Sequence, residues 1–228
     1  MDSSSALLAR LRRFCFPSGE DSVRLARGVK TAQRGEMRMA PGAKPVPFTA
    51  EESIQAARSG FRWEARFGGG RLGGFAVTDA YDEGRGWLLV KLRGVIPLKK
   101  TVGPEVDQGE LQRYLASVVS CPPMILHNRS LEWTAAGPDT LRVRDRDDPT
   151  GATVDLEMDA EGRPLACRAV RPRMAGKRIV PTPWSGVAAE FREWEGLRVA
   201  SRLEVQWDLP EGSFTYFRAE VTSFALLL

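Results

Sequence analysis

The chain has 228 residues, with 33 lysines and arginines against 29 aspartates and glutamates, a formal net charge of +4 and a pI of about 9.2. An apolar fraction of 43% and a charged fraction of 27% describe an ordinary globular chain, long enough to bury a substantial core. A single histidine excludes a multi-histidine metal site, three scattered cysteines (Cys15, Cys121, Cys167) give no disulfide framework or metal cluster, and no apolar run approaches the ~20 residues that span a bilayer.

The N-terminus, MDSSSALLARLRRFCF, lacks the leading basic segment and long apolar core of a secretory signal, so a cytoplasmic, reduced protein is expected. Leu7, Leu8, Leu11, Phe14 and Cys15 share one helical face and Arg10, Arg12 and Arg13 take the other. This reads as a helix packed on the body, with peripheral membrane contact through residues 6–16 as the alternative. Residues 17–21 form a loop. Residues 23–39 have strand character broken by Gly28 and Gly35, residues 41–47 form a proline-rich connector, and residues 48–58 run extended into a turn of helix.

From Phe61 the period becomes two. Phe61, Trp63, Ala65 and Phe67 alternate with Arg62, Glu64 and Arg66, the pattern of a strand with one face buried. GGGRLGG, residues 68–74, reads as a hairpin loop, because neither the GK[ST] nor the helix of a phosphate-binding loop follows it. Four acidic–glycine turns recur at Glu83-Gly84, Glu161-Gly162, Glu195-Gly196 and Glu211-Gly212. Between them lies a helix predicted over 107–120, with Leu111, Tyr114, Leu115, Val118 and Val119 on one stripe. Asp107 is the expected N-cap, Glu110 completes a capping box, and Cys121-Pro122-Pro123 ends the helix. The expected fold is α+β: a strongly curved antiparallel β-sheet, a half-barrel, covered by one long helix and a short N-terminal helix. Residues 1–228 are read as a single domain, with helix and loop over 1–20 and the curved sheet with its inserted helix over 21–228.

Hairpin registers decide what faces the concavity. With a two-residue turn at Glu83-Gly84, Phe75, Val77, Asp79 and Tyr81 share a face with Leu88, Val90 and Leu92. Asp79 thus falls within an apolar face, where a carboxylate is costly unless paired. The same parity through Glu195-Gly196 and Glu211-Gly212 gathers Trp184, Glu190, Arg192, Trp207, Tyr216, Arg218 and Glu220 on one face. These charges either pair with one another and hold register, or line a cavity for a small ligand.

The favoured function is non-catalytic binding of an apolar or amphipathic, lipid-like molecule in the concavity. Trp184, Trp207 and Tyr81 would supply contact area, Arg192, Arg218 and Asp79 would orient a polar headgroup, and Glu190 and Tyr216 complete the expected ligand-binding set. Glu110 and Tyr114 belong to the lid helix. One alternative is an enzyme with Asp79 or Glu110 as acid–base group; another is a structural or interaction module with a solid interior. His127 is expected on a solvated loop, Cys167 as a small buried apolar residue, and residues 145–149 (DRDDP) as a hydrophilic turn, without the spaced ligands of a calcium loop. Neither a metal nor another cofactor is expected. Arg142, Arg144 and the basic residues 168–178 lack the interleaved aromatics of a nucleic-acid platform, so no nucleic-acid partner is expected.

Residues 47–53 (PFTAEES), 60–67 (GFRWEARF), 77–98, 107–116 (DQGELQRYLA), 181–186 (PTPWSG) and 214–218 (FTYFR) together resemble an uncharacterised, mostly bacterial family of domains of unknown function. The resemblance spans nearly the whole chain and brings no catalytic residues with it. The strand-rich layout is also similar, at the level of fold, to the half-barrel of lipoprotein carriers. The N-terminal residues carry no pattern from which an export signal is expected, a departure from those carriers.

Overall fold

Alternation with period two runs through most of the chain, and in the computed structural model it becomes thirteen strands of one sheet. The structure describes residues 2–68, 74–176 and 178–228, so most of the glycine-rich loop expected over 68–74 lies outside the described residues. The first six strands are β1 (Gly28–Met37), β2 (Val46–Gln55), β3 (Phe61–Phe67), β4 (Phe75–Asp82), β5 (Arg85–Leu92) and β6 (Ile96–Thr101). The remainder are β7 (Leu131–Gly137), β8 (Thr140–Asp145), β9 (Thr153–Met158), β10 (Pro164–Ala175), β11 (Arg178–Trp194), β12 (Leu197–Leu209) and β13 (Gly212–Leu227). Sequence neighbours pair antiparallel in two meanders, and β1 pairs with β13 to join them, leaving β6 and β7 as the two edges. Gly35 makes that seam possible rather than breaking the strand: a Cβ there would lie 2.0 Å from the Arg218 carbonyl oxygen.

The chain must pass from the β6 edge to the β7 edge, and helix α2 (Pro104–Ala116) makes the crossing. It touches β4 and β5 on one side and β9 and β10 on the other. In a flat sheet β5 and β10, eight places apart in the strand order, would be about 38 Å apart, whereas a helix is only about 10 Å wide. The sheet therefore curls around α2. Helix α1 (Ser3–Cys15) packs on β7, β8 and β12, with Leu7, Leu11, Phe14 and Cys15 buried; a short helix α3 (Met124–His127) follows α2. The apolar face of α1 is thus committed to the core, which removes the membrane contact expected through residues 6–16.

The expectation of one long and one short helix is corrected to two α-helices of 13 residues each, the second continued by a 3-10 turn over Ser117–Val119. The helix start is also corrected. Gly103 is the N-cap and Pro104 opens the first turn, where its missing N–H has no partner to lose. Asp107, released from capping, accepts from the Gly86 backbone N–H at 2.7 Å and from Arg85 at 3.1 Å, pinning α2 to the β4–β5 turn. The helical turn expected near residue 58 is absent; β2 ends in a bend.

Candidate functional site

Helix α2 has two working faces. Leu111, Tyr114 and Leu115 are fully buried in the solid part of the core, and the Tyr114 hydroxyl donates to the Gln55 carbonyl at 3.1 Å. Glu110, Arg113 and Ser117 turn the other way, toward a cavity of about 910 Å³ between the helix and the concave sheet. Phe75, Val77, Leu88 and Val90 form one wall; Trp184, Leu203, Val205, Trp207 and Phe217 form the other. The space stays open because β10 and β11 present Ala166, Gly186 and Ala188 where larger side chains would fill it. At the open flank of β10, Gln112 donates to the Val170 carbonyl at 3.0 Å, tying the helix to the strand beyond the reach of β9.

The floor of this apolar space is polar. Arg113 donates to the Asp79 carboxylate and, at 3.1 Å, to Glu52. Its guanidinium lies 4.6 Å from the Phe61 ring centroid and 5.2 Å from that of Trp63. Gln33 donates to Glu52 at 2.7 Å and accepts from the Trp63 indole at 3.0 Å. Across the floor, Arg171 donates to the Gly109 carbonyl at 2.5 Å and lies 4.8 Å from the Trp184 ring, whose N–H donates to the Tyr216 hydroxyl at 3.0 Å. Burial raises the Tyr216 phenol pKa, against the pull of Arg171 and the Trp184 hydrogen bond. Burial also works against the Arg113 charge, but the Asp79 and Glu52 carboxylates outweigh it and hold the guanidinium protonated.

Glu110 sits among these charges with its Oε2 sealed from solvent and unpartnered, as is Asp79 Oδ1. Burial first, and the adjacent Asp79 second, push the Glu110 carboxyl well above the usual carboxylate range, against Arg171 and Arg113. Arg171 Nε, also buried, has no acceptor. The three thiols are elsewhere in character: burial raises Cys15 and Cys121 to about 12 and Cys167 to about 11, so none is a ready nucleophile. Among the described residues no group of histidine, cysteine or carboxylate side chains could hold a metal ion.

Of the residues singled out from sequence, Asp79, Trp184, Trp207, Tyr216 and Glu110 line the cavity. Tyr81 and Tyr114 instead pack in the solid core, where burial raises the Tyr81 phenol to about 12. Glu190, Arg192 and Arg218 do not reach the cavity. Arg192 spans Glu190 at 3.9 Å and Glu220 at 3.8 Å, while Arg218 pairs with Glu204 at 3.2 Å and Glu36 at 3.6 Å. Bulges are the cause. The turn after β12 holds Pro210 and Glu211, with Leu209 opposite Gly212, and Tyr216 is then an extra residue, so that Phe217 and Ala219 point inward and Arg218 and Glu220 outward. In β11 the register shifts on both sides of Glu190, setting it against Arg202, with which it pairs at 2.9 Å.

Arg113, Arg171, Glu52 and Gln33 escaped the sequence reading. Glu52 was legible, since Phe48, Ala50, Glu52 and Ile54 alternate in β2 as the Asp79 face does in β4. Arg113 lies three residues beyond Glu110, on the same helical face. Arg171 carries no such mark, because a strand so rich in arginine does not single out one of them.

Sheet, helix and floor define a class: an open antiparallel half-barrel that encloses an apolar cavity with a charged, nearly sealed base. Residues 7–219 match the family of unknown function DUF6544, and the chain belongs to that family. Among curated proteins no match is found. Among solved structures, a LolA superfamily protein from Nitrosomonas europaea is similar, with a TM-score of 0.52 at 11% identity, over 100% of this chain and 95% of that one. A DUF1329 family protein from Desulfovibrio piger gives 0.53 at 11%, over 99% and 94%. A putative outer membrane lipoprotein-sorting protein domain from Vibrio parahaemolyticus gives 0.51 at 9%, over 99% and 93%. At such identities the likeness is one of fold.

Proposed function

We propose that this protein binds a lipid-like, amphipathic molecule without altering it, its apolar part in the cavity and its head at the Arg113–Glu110 floor. The observation that carries this reading is the cavity of about 910 Å³, within the upper range of small-ligand pockets, with mostly apolar walls and a charged cluster at its floor. The names of two similar structures, a LolA superfamily protein and a putative lipoprotein-sorting domain, point the same way. Unmet hydrogen-bonding capacity at Glu110 Oε2, Asp79 Oδ1 and Arg171 Nε gives a headgroup something to bind. Burial and the adjacent Asp79 favour the neutral form of Glu110; in that form the charges of Arg113 and Arg171 balance those of Asp79 and Glu52, so a neutral polar head fits better than an anion.

A fluorescent fatty alcohol should bind and a matched fatty acid should bind more weakly. Val205→Trp, which fills the cavity from its wall, should reduce probe affinity at least about tenfold with thermal stability kept; undiminished binding would overturn the reading. A second reading, acid–base chemistry at Glu110, draws on its raised pKa inside a cavity. Turnover on a substrate panel, abolished by Glu110→Gln in a folded protein, would favour it over passive binding.

A further inference from the structure

The connections β1–β2, β5–β6, β10–β11 and β12–β13 all fall at one end of the half-barrel. Met39, Val95, Ile96, Leu98, Met174 and Ile179 are there, 44–76% exposed. Met39, Leu98, Met174 and Ile179 also line the cavity, so this end is its mouth. Exposed apolar side chains in such a cluster mark a contact surface. Interspersed with them are Lys44, Lys99, Lys100 and Arg178, all exposed, none with a carboxylate in ion-pair reach among the described residues. The carboxylates named near this end are engaged or lie in a turn: Glu36 and Glu204 are held by Arg218, Asp208 by Ser185 and Ser213, and Glu211 lies in the β12–β13 turn. The far end carries the turns Glu83-Gly84, Glu161-Gly162 and Glu195-Gly196 together with Asp82 and Asp139, and there arginines meet carboxylates: Arg58 pairs with Asp82 and Arg10 with Asp139, both at 2.8 Å. Basic charge without a carboxylate partner among the described residues thus gathers, with exposed apolar side chains, where the cavity opens.

We propose that this rim docks on an anionic bilayer surface, its apolar side chains entering the interface and its lysines and arginine meeting lipid phosphates, so that the cavity opens onto the membrane. Short apolar insertion plus basic residues is the make-up of a peripheral membrane contact. A second copy of the chain fits worse, because like charges would face one another and the β6 edge carries Pro97, Lys99 and Lys100, which disfavour edge pairing. Nucleic acid fits worse too, since the interspersed side chains are aliphatic or thioether rather than stacking aromatics. Docking goes beyond the ligand reading and stands apart from it.

Flotation with phosphatidylcholine vesicles, with and without phosphatidylglycerol, tests it on the full chain. Recovery with the anionic vesicles only, reduced by salt, is expected. Lys44→Glu/Lys100→Glu/Arg178→Glu should lower partitioning at least about thirtyfold. Val95→Asp/Ile96→Asp should lower it as well, and neither variant touches a cavity-lining residue, so both should bind the fatty-alcohol probe as before. No flotation, equal flotation on neutral vesicles, or unaltered flotation of both variants would overturn the proposal. So would a dimer broken by the same substitutions, or retention of single-stranded RNA without vesicle binding. Vesicle binding without any probe binding would sink the ligand reading and leave the docking surface standing.

Discussion

Two sets of arginine–carboxylate pairs lie on opposite sides of the same sheet. On the inside, Arg113 joins Glu52 and Asp79, whose side chains are 7% and 11% exposed, and stacks on Phe61 and Trp63. On the outside, Arg202–Glu190, Arg218–Glu204 and Arg34–Glu220 have arginines 44–68% exposed. Water screens the outer set, so forming or losing such a pair changes little. The inner set has lost its water, and each charge there depends on the protein for compensation. Solvent supplies what an outer pair lacks, whereas an inner shortfall stays unmet until something enters the cavity.

Mutations separate the two sets. Arg113→Met leaves Asp79 and Glu52 buried without a counter-ion, and should destabilise by about 3–5 kcal/mol, a Tm loss on the order of 10 °C by thermal melting. A loss under about 1 kcal/mol would place the inner set with the outer. Glu110→Gln acts through pH. The folded-state pKa of Glu110 is raised, so its contribution is fully present below the unfolded carboxylate range and is lost as pH rises through the folded value. In urea titrations across pH the wild type should weaken relative to Glu110→Gln by up to about 1.4 kcal/mol per pH unit within that window. A constant difference would contradict the raised Glu110 carboxyl. At the small end, Arg192→Ala on the outer face should change stability by no more than about 0.5 kcal/mol and leave probe affinity untouched.

What the sequence discloses follows the same divide. The β4–β5 register is legible, with Asp79 opposite Leu88 as expected, because Glu83 and Gly84 both adopt positive φ (49° and 77°) in a tight two-residue turn. The alternation from Phe61 to Phe67 is equally legible, since one face of β3 is fully buried. The faces of Glu190, Arg192 and Arg218 are not legible, because the bulges beside them carry no glycine or proline to announce the extra residue. One inserted Tyr216 reverses the side chains after it as far as Thr222, where a second irregularity restores the parity. Asp107 and Glu110 have the spacing of a capping box, and only the neighbouring Gly86 and Asp79 draw them into other work. Local pattern fixes the inner face of the first meander, while the second depends on irregularities set by tertiary packing.

Native mass spectrometry of the freshly purified chain tests the central claim most directly, because an occupied cavity adds the mass of its occupant. An excess that organic solvent removes, that yields an apolar molecule on extraction and that Val205→Trp lacks is the result expected. A bare chain mass in both proteins, with no uptake of the fatty-alcohol probe by either, would contradict it.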